Sequence, residues 1–352
     1  MKKLFFLSFL IVPILLIAQP KAGYYSAAIG KSDAALRTSL SSIISNGLSV
    51  TSYAGLYTAY SKTDINPSNG KIWDMYSNCN FTYGTDENHG TSGAECTNYN
   101  REHTSPQSWF SEASPMVSDI FNVYPTDTKV NGMRGNYPYG EVGSASYTSG
   151  NGSKLGSSSM AEYSGTVFEP INEFKGDIAR TCLYMATCYA SVCQSWGSGA
   201  TVVYGSNNGL TTYSVALFLK WHRLDPVSSK ETARNNAAEG VQKNRNPFID
   251  YPQLAEHIWG KMKGIGWSLT SGVDEMKIKF SVSPNPVQNE LTIQSEEDNL
   301  TYSIFNLNGQ TLEVNQLNIS KTISVNQLDN GMYLLQLQSG NRKSLQKFIV
   351  NK

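Results

Sequence analysis

The sequence has few charged residues and no excess of either sign. Lys, Arg, Asp and Glu make up 16% of its 352 residues, and the formal net charge is zero. A strong positive field over the whole molecule, which helps many proteins to attract nucleic acid, is therefore excluded. Binding to nucleic acid would instead require a local group of Arg and Lys side chains.

Long apolar runs are missing after the first twenty residues. Met1-Lys2-Lys3 precedes an apolar stretch that ends at Ala18. A basic start and a short apolar core are typical of a secretory signal peptide, to which we assign residues 1–18. No later run approaches the length that a bilayer requires. We expect an exported protein, secreted or at the cell surface, that passes through the periplasm.

Cysteines are scarce and odd in number, so the five of them cannot all pair within one molecule. Export permits disulfides, and we expect a bridge between Cys79 and Cys96, which flank a polar loop. Cys182, Cys188 and Cys193 have no His nearby at zinc-site spacing. We interpret these three as small buried side chains or as one local bridge.

Several common catalytic signatures are also absent: a Gly-rich phosphate loop, a Ser-His-Asp order and zinc-finger spacing. What stands out is Asn100-Arg101-Glu102-His103, followed by the Asn- and Asp-rich stretch 118–136. Hard oxygen donors beside an imidazole suit a divalent cation and an activated water. These residues predict a metal-dependent nuclease.

Hydrophobic periodicity predicts helices over 32–45, 127–134, 174–191, 215–223, 231–243 and 254–259. Residues 101–105 are predicted to form a strand, since Pro106 favours an extended backbone in the residue before it. The Gly- and Ser-rich residues 139–165 lack a clear period and predict a long surface loop or a pair of hairpins. The predicted order around the Glu-His pair is therefore strand, loop, strand or turn, and helix.

The character of the sequence changes after residue 270. Residues 271–279 are interpreted as a linker, and short strand-like segments follow over 280–352. Asn308-Gly309 and Asn330-Gly331 are turn dipeptides that favour hairpins. The predicted fold class is α+β, with a mostly helical domain over 19–270 and a small all-β, sandwich-like domain at the end.

The residues Asn100–His103, together with Val130-Asn131 and Arg134, resemble the secreted bacterial endonuclease I family of His-Me finger, or ββα-metal, nucleases. Other stretches within residues 23–262 fit the family in the same order: Tyr24-Tyr25, Ile72–Ser77, Phe174–Arg180, Trp221–Val227 and Gln242–Asp250. The resemblance implies that a ββα-metal motif is embedded in the helical domain.

A second resemblance covers the end of the chain. Ser281–Pro286, Gly331–Tyr333 and Lys347–Val350 are similar to the type IX secretion sorting domain of Bacteroidetes. This resemblance implies a partner in the outer-membrane secretion machinery and no catalytic part for the domain.

The first resemblance implies roles for individual residues. His103 is expected to be the general base, and Glu102 and Asn131 the metal ligands, with Asn122 and Asn136 as rivals of Asn131. Alternatively, Asn122 is expected to hold the His103 tautomer through its side-chain oxygen. Alternate strand residues face opposite sides, so we expect a bend or bulge to bring Glu102 and His103 together.

Arginines are the candidate phosphate-binding residues, since one guanidinium group can donate two parallel hydrogen bonds to the oxygens of a phosphate. Arg101, Arg134 and Arg180 are the candidates, with an ion pair inside the protein as the alternative for each. Arg245 is expected either to touch the nucleic-acid backbone or to cap the preceding helix, and His222 to be structural.

These predictions together describe an exported, Mg²⁺-dependent, sequence-nonspecific endonuclease, with Ca²⁺ or Mn²⁺ as alternative cations. We expect it to act as a monomer on DNA through backbone contacts, with RNA as a further substrate. An exported adhesin or glycan-binding protein is the alternative from another class, and a nuclease-like protein without activity is a third. The Glu-His pair and Asn131 favour the enzyme, because an adhesin has no need of them.

Overall fold

The computed structural model describes residues 20–88, 90, 93–269, 278, 280–295, 297, 300–307, 309–317, 321–339 and 342–352. The expected signal peptide lies outside these residues, as does the expected linker apart from Ile278. The chain divides into two compact units, Met1–Trp267 and Ser268–Lys352. Among the residues described, none of the helices has the length and apolar character needed to cross a bilayer.

The first unit is mainly helical. The α-helices of its described part are α1 Asp33–Ser45, α2 Gly55–Thr63, α3 Thr128–Arg134, α4 Asn172–Cys188, α5 Thr212–Leu224, α6 Ser229–Gln242, α7 Pro247–Asp250 and α8 Leu254–Ile258. Its strands are β1 Tyr99–His103, β2 Val123–Asp127, β3 Val142–Thr148, β4 Lys154–Ser158 and β5 Thr166–Glu169. All six predicted helices are present, as α1, α3, α4, α5, α6 and α8.

Helix α4 lies at the centre of the hydrophobic core. All its residues from Phe174 to Cys188 are buried, because α4 packs against α1, α5 and α7. The free cysteines Cys182, Cys188 and Cys193 are buried in this core, which confirms their interpretation as small buried side chains.

Two helices were not predicted, α2 and the single turn α7. The α2 sequence contains Gly, Ser, Thr and Tyr, which have modest helix propensity, so no local signal favours it. It forms where its buried Leu56 and Tyr60 pack on α6 and β2. Tertiary packing, rather than propensity, stabilises such a short helix.

The segment predicted as a loop or hairpins contains β3 and β4, which form an antiparallel three-stranded sheet with β5 in the order β3-β4-β5. Register shifts interrupt the β3–β4 pairing between Val142 and Ser144 and again between Ala145 and Tyr147. Such irregularities break the alternation of inward and outward residues, which explains why no strand period is visible in the sequence.

The second unit is all β in its described residues. Its strands are β6 Phe280–Ser283, β7 Glu290–Ser295, β8 Thr301–Phe305, β9 Thr311–Gln316, β10 Thr322–Ser324, β11 Gly331–Ser339 and β12 Arg342–Val350. They form two sheets, ordered β10-β7-β6 and β12-β11-β8-β9, around one shared apolar core. The predicted fold class, α+β followed by an all-β domain, is confirmed.

One predicted hairpin in this unit is wrong. Asn330-Gly331 lies between β10 and β11, which belong to different sheets, so it joins the sheets instead of two paired strands. The other predicted turn includes Asn308, which lies outside the described residues. On either side of that turn β8 and β9 do pair, with Phe305 opposite Thr311.

Candidate active site

Strands β1 and β2 and helix α3 form one continuous structural unit. The strands are antiparallel, with Tyr99 opposite Asp127 and His103 opposite Val123. Helix α3 begins at Thr128, directly after β2, and packs against both strands. The predicted strand–strand–helix order is therefore present, and it brings residues from the two ends of a 36-residue stretch, 99–134, to one place.

Asp127 fixes the start of α3. Its Oδ1 accepts hydrogen bonds from the backbone N–H groups of Lys129 (2.8 Å) and Val130 (3.0 Å), as an N-cap does. Its Oδ2 accepts the N–H of Cys96 at 2.7 Å. Cys96 is bonded to Cys79 in the predicted disulfide, which is confirmed. The cap thus ties α3 to the disulfide loop.

The Glu102 carboxylate is almost completely buried, with 2% exposure. Its Oε1 accepts a hydrogen bond from the Tyr76 hydroxyl at 2.8 Å and forms an ion pair with Arg134 Nη1 at 3.0 Å. Burial raises the pKa of the Glu102 carboxyl, while the Arg134 guanidinium opposes that shift. Within the described structure all hydrogen bonds and ion pairs of this carboxylate use Oε1, which leaves Oε2 without a protein partner.

The His103 imidazole has one fixed tautomer. Its Nε2 lies 3.0 Å from the carbonyl oxygen of Val117. A carbonyl can only accept, so Nε2 carries the proton and Nδ1 carries the lone pair. Burial lowers the pKa of His103 from 6.5 to about 4, and the Arg134 and Arg101 guanidinium groups act in the same direction. The imidazole is consequently neutral near pH 7 and can accept a proton at Nδ1.

Asn131 lies on the second turn of α3. Its Nδ2 donates to Asn100 Oδ1 at 2.7 Å and to the Arg101 carbonyl at 3.4 Å. The carbonyl again only accepts, so the amide nitrogen faces β1 and Oδ1 points away from it. Among the described residues no hydrogen bond engages Oδ1, so this oxygen is available to a ligand.

Arg101 is held by aromatic side chains. Its guanidinium lies 3.6 Å from the ring centroid of Tyr53 and 4.7 Å from that of Tyr57. Its Nη1 also donates to the Tyr53 carbonyl at 2.8 Å. Stacking on two rings orients a cation without neutralising it, which suits a group that binds phosphate.

These side chains meet in one pocket of about 230 Å³. Its lining comprises Tyr53, Asn100, Arg101, Glu102, His103, Pro106, Gln107, Asn131, Arg134, Gly135 and Asn136. Of the expected bend or bulge between Glu102 and His103, the bulge is wrong, because the β1–β2 register runs without a shift. The two residues do face opposite sides of β1, Glu102 towards α3 and His103 towards Tyr53, and the pocket lies at the strand edge between them.

Comparisons with known proteins identify relatives of both parts of the chain. The family model described as Endonuclease I matches residues 32–253. The chain belongs to the endonuclease I family. A second family model, the secretion system C-terminal sorting domain, matches residues 281–351. The sequence is similar to the extracellular ribonucleases of Bacillus amyloliquefaciens (36% identity over 246 residues) and Bacillus subtilis strain 168 (31% over 248 residues). Each alignment covers 67% of this chain and 78% of the relative.

This endonuclease I family member is a hydrolase that cleaves nucleic acid. Its sorting domain indicates a secreted or cell-surface protein that is exported by a secretion machinery. Both predicted resemblances are confirmed. Membership of a nuclease family decides against the adhesin alternative.

The structure corrects the expected role of Asn122. Its Oδ1 accepts the Thr104 hydroxyl and the Ser105 N–H, both at 2.9 Å, and its Nδ2 donates to the carbonyls of Ser105 and Met116. Asn122 therefore braces the turn after β1, and Val117 takes the place expected for it at the imidazole.

Two of the arginine predictions also change. Arg180 is fully buried and forms ion pairs with Glu231 and Asp177, outside the pocket, so it is not a phosphate-binding residue. Arg134 lines the pocket, but its Nη1 and Nη2 donate to the carbonyls of His103 and Thr104. With the Glu102 ion pair, these bonds make Arg134 a positioning residue, because its terminal nitrogens are engaged by protein oxygens.

Outside the pocket, the buried Arg245 forms ion pairs with Asp250 and Glu239. These side-chain ion pairs replace both expected roles, the nucleic-acid contact and the helix cap. His222 is buried, with Nε2 3.0 Å from the Pro252 carbonyl, as expected of a structural residue. Tyr53 and Tyr76 contact site residues, and sequence reasoning missed them. Tyr76 lies in the family-like stretch Ile72–Ser77, which was the available signal.

Proposed function

We propose that this nuclease is a divalent-cation-dependent endonuclease that hydrolyses DNA and RNA without base-sequence preference. The observation that supports this most strongly is the pocket at the edge of β1. It combines an unprotonated imidazole nitrogen on His103 with two unengaged oxygens, Glu102 Oε2 and Asn131 Oδ1. A single chain supplies all these groups, which supports action as a monomer.

The donor set fits a hard cation. Carboxylate and amide oxygens are the ligands that Mg²⁺ prefers, usually with several waters retained. In the part of the chain that the structure describes, no three His, Cys, Asp or Glu side chains form a metal cage. Glu102 and Asn131 would thus hold an open site. A cation bound there would supply positive charge to the reacting phosphate and its leaving oxygen.

His103 supplies the base. A water molecule attacks phosphorus, and its proton passes to His103 Nδ1 while Nε2–H stays bonded to the Val117 carbonyl. The bond from phosphorus to the 3′ oxygen breaks, and that oxygen is protonated from solvent. The products are a 5′-phosphate and a 3′-hydroxyl. Arg101, stacked on Tyr53 at the pocket wall, is placed to bind a non-bridging phosphate oxygen.

This chemistry gives the ribose 2′-hydroxyl no role, which is why we propose both DNA and RNA as substrates. The two relatives are named as ribonucleases, which supports RNA cleavage. A polar pocket that offers a base, cation ligands and one arginine addresses the backbone rather than base edges, so little sequence preference is expected.

The test is cleavage of plasmid DNA and of a 3′-labelled RNA by the full-length protein with Mg²⁺, with EDTA, and after His103→Ala. We expect EDTA and the substitution each to reduce cleavage at least about 100-fold, in line with loss of a general base. Both substrates should yield 5′-phosphate ends. A 2′,3′-cyclic phosphate from RNA, or full activity in EDTA, would contradict the proposal.

A matched pair of variants tests the cation ligand. Asn131 and Asn136 both line the pocket, but only Asn131 is on α3 and oriented by β1. Asn131→Ala should raise the Mg²⁺ concentration needed for half-maximal cleavage, while Asn136→Ala should leave it unchanged. The reverse result would assign the cation to Asn136. A folded wild-type protein without activity under any divalent cation would favour the inactive nuclease-like alternative.

A further inference from the structure

A buried tyrosine donates a hydrogen bond to Glu102, the proposed cation ligand. Tyr76 is fully buried, and its hydroxyl donates to Glu102 Oε1 at 2.8 Å. The Tyr139 hydroxyl forms a short hydrogen bond with the Tyr76 hydroxyl and lies 3.5 Å from the same Oε1. Together with Arg134 at 3.0 Å, these groups occupy one oxygen of the carboxylate and leave the other facing the pocket.

The backbone around Tyr76 is tied to the second cation ligand. Asp74 Oδ1 accepts the Tyr76 N–H at 2.7 Å, and Asp74 Oδ2 accepts the Asp127 N–H at 2.9 Å. Asp127 caps α3, which carries Asn131. One buried carboxylate therefore links the residue that orients Glu102 to the helix that presents Asn131. Such a link sets the spacing of the two ligand oxygens.

We propose that Tyr76 is a positioning residue that holds Glu102 in the rotamer with Oε2 turned to the cation. This inference rests on the proposed function, since it concerns the same site. Hydrogen bonds to a ligating carboxylate restrict its rotation and lower the entropy that binding must remove. The hydroxyl of Tyr76 makes the shorter of the two tyrosine contacts with Glu102, so its loss matters more than the loss of the Tyr139 hydroxyl.

The experiment compares Mn²⁺ binding to the full-length wild type, Tyr76→Phe and Tyr124→Phe by isothermal titration calorimetry without substrate. Tyr124 is the matched control: it is buried, lies directly opposite Glu102 in the strand pairing, and bonds to Thr181 instead of to the site. Both variants lose one buried hydroxyl and keep the ring. We expect Tyr76→Phe to weaken Mn²⁺ binding about tenfold and Tyr124→Phe to change it less than about twofold.

The outcomes separate this inference from the proposed function. If Tyr76→Phe and Tyr124→Phe lower the melting temperature alike and bind Mn²⁺ as the wild type does, Tyr76 is merely structural and the inference is overturned. A wild type that binds no Mn²⁺ would overturn the proposed function as well. Tyr139→Phe provides a second measurement should Tyr76→Phe not fold: it should weaken Mn²⁺ binding measurably, and wild-type affinity in this variant would overturn the inference.

Discussion

Replacing Arg180 by Met should lower the stability of the first compact unit. It should leave substrate binding unchanged. Arg180 is fully buried; its Nη2 lies 2.7 Å from Glu231 Oε2, and its Nη1 donates to the Asp225 carbonyl at 2.8 Å. Asp177 retains Lys230 at 3.2 Å after the substitution, but in the described structure Glu231 has no second cation.

The size of the expected loss in stability follows from the Glu231 carboxylate, which stays buried without its ion-pair partner. Breaking a buried ion pair by removing one partner costs about 3–5 kcal/mol. Burial raises the pKa of the Glu231 carboxyl, so without Arg180 this group can take up a proton, which limits the cost. We therefore expect the free energy of unfolding to fall by about 3 kcal/mol at neutral pH, towards the lower end of that range.

Tryptophan fluorescence during urea unfolding measures this change in the full-length protein. All six tryptophans, the last being Trp267, lie in the first compact unit, so the signal is independent of the sorting domain. With an m-value of about 3 kcal/mol/M, the urea midpoint should fall by about 1 M. Arg223→Met is the control: Arg223 is half-exposed and paired with Glu256, so its loss should cost less than about 1 kcal/mol.

An unchanged urea midpoint for Arg180→Met, combined with a raised KM for nucleic acid, would refute the reasoning. That result would mean that Arg180 contacts phosphate and that its ion pairs contribute little. The folded variant should instead cleave with the KM of the wild type.

Three further predictions concern the scaffold around the site. Asp127→Ala leaves three backbone N–H groups without their acceptor and should cost about 2–4 kcal/mol in urea unfolding, whereas Asp127→Asn retains the helix cap and should cost less. Burial and Arg180 lower the pKa of His222 from 6.5 to about 4. The unfolded state therefore binds more protons between these values, so stability should fall as the pH drops from 6.5 to 4, by up to about 3 kcal/mol. His222→Asn should lack this part of the pH dependence. The Cys79–Cys96 disulfide spans a sequence separation of 17, and replacing both cysteines by Ser should lower the free energy of unfolding by about 3 kcal/mol.

Each of these has an outcome that would contradict it. Wild-type stability of Asp127→Ala would show that α3 does not depend on its cap. Parallel curves of stability against pH for the wild type and His222→Asn would contradict the lowered pKa. A double serine variant with the midpoint of the wild type would contradict the loop-closure estimate.

Local sequence signals predicted most of the fold, because local forces decide those elements. The α3 start is an example: a helix was predicted over 127–134, and the Asp127 carboxylate accepts the N–H groups of Lys129 and Val130 at its first turn. The missed helix α2 depends on distant partners, because it has no strong propensity and forms against α6 and β2. The pairing of β3 with β4 fits the hairpin alternative for 139–165, and its irregular register hides the alternation in the sequence.

The site shows the same division. The residue types at Glu102, His103 and Asn131 are visible in the sequence, and family resemblance attaches roles to them. Arg101, Arg134 and Arg180 look alike in sequence, yet one stacks on Tyr53 at the pocket, one positions β1, and one is buried with Glu231. Partners far away in the chain decide between these roles.

The sequence by itself determined that this is an exported nuclease of the endonuclease I family with a C-terminal sorting domain, because those properties follow from residue types in a fixed order. Only the tertiary structure decided the geometry of the site: that Val117 rather than Asn122 fixes the His103 tautomer, and that Tyr76 engages one oxygen of Glu102. The physical reason is that hydrogen-bond partners and burial depend on which distant segments fold together, and a single sequence does not display those contacts.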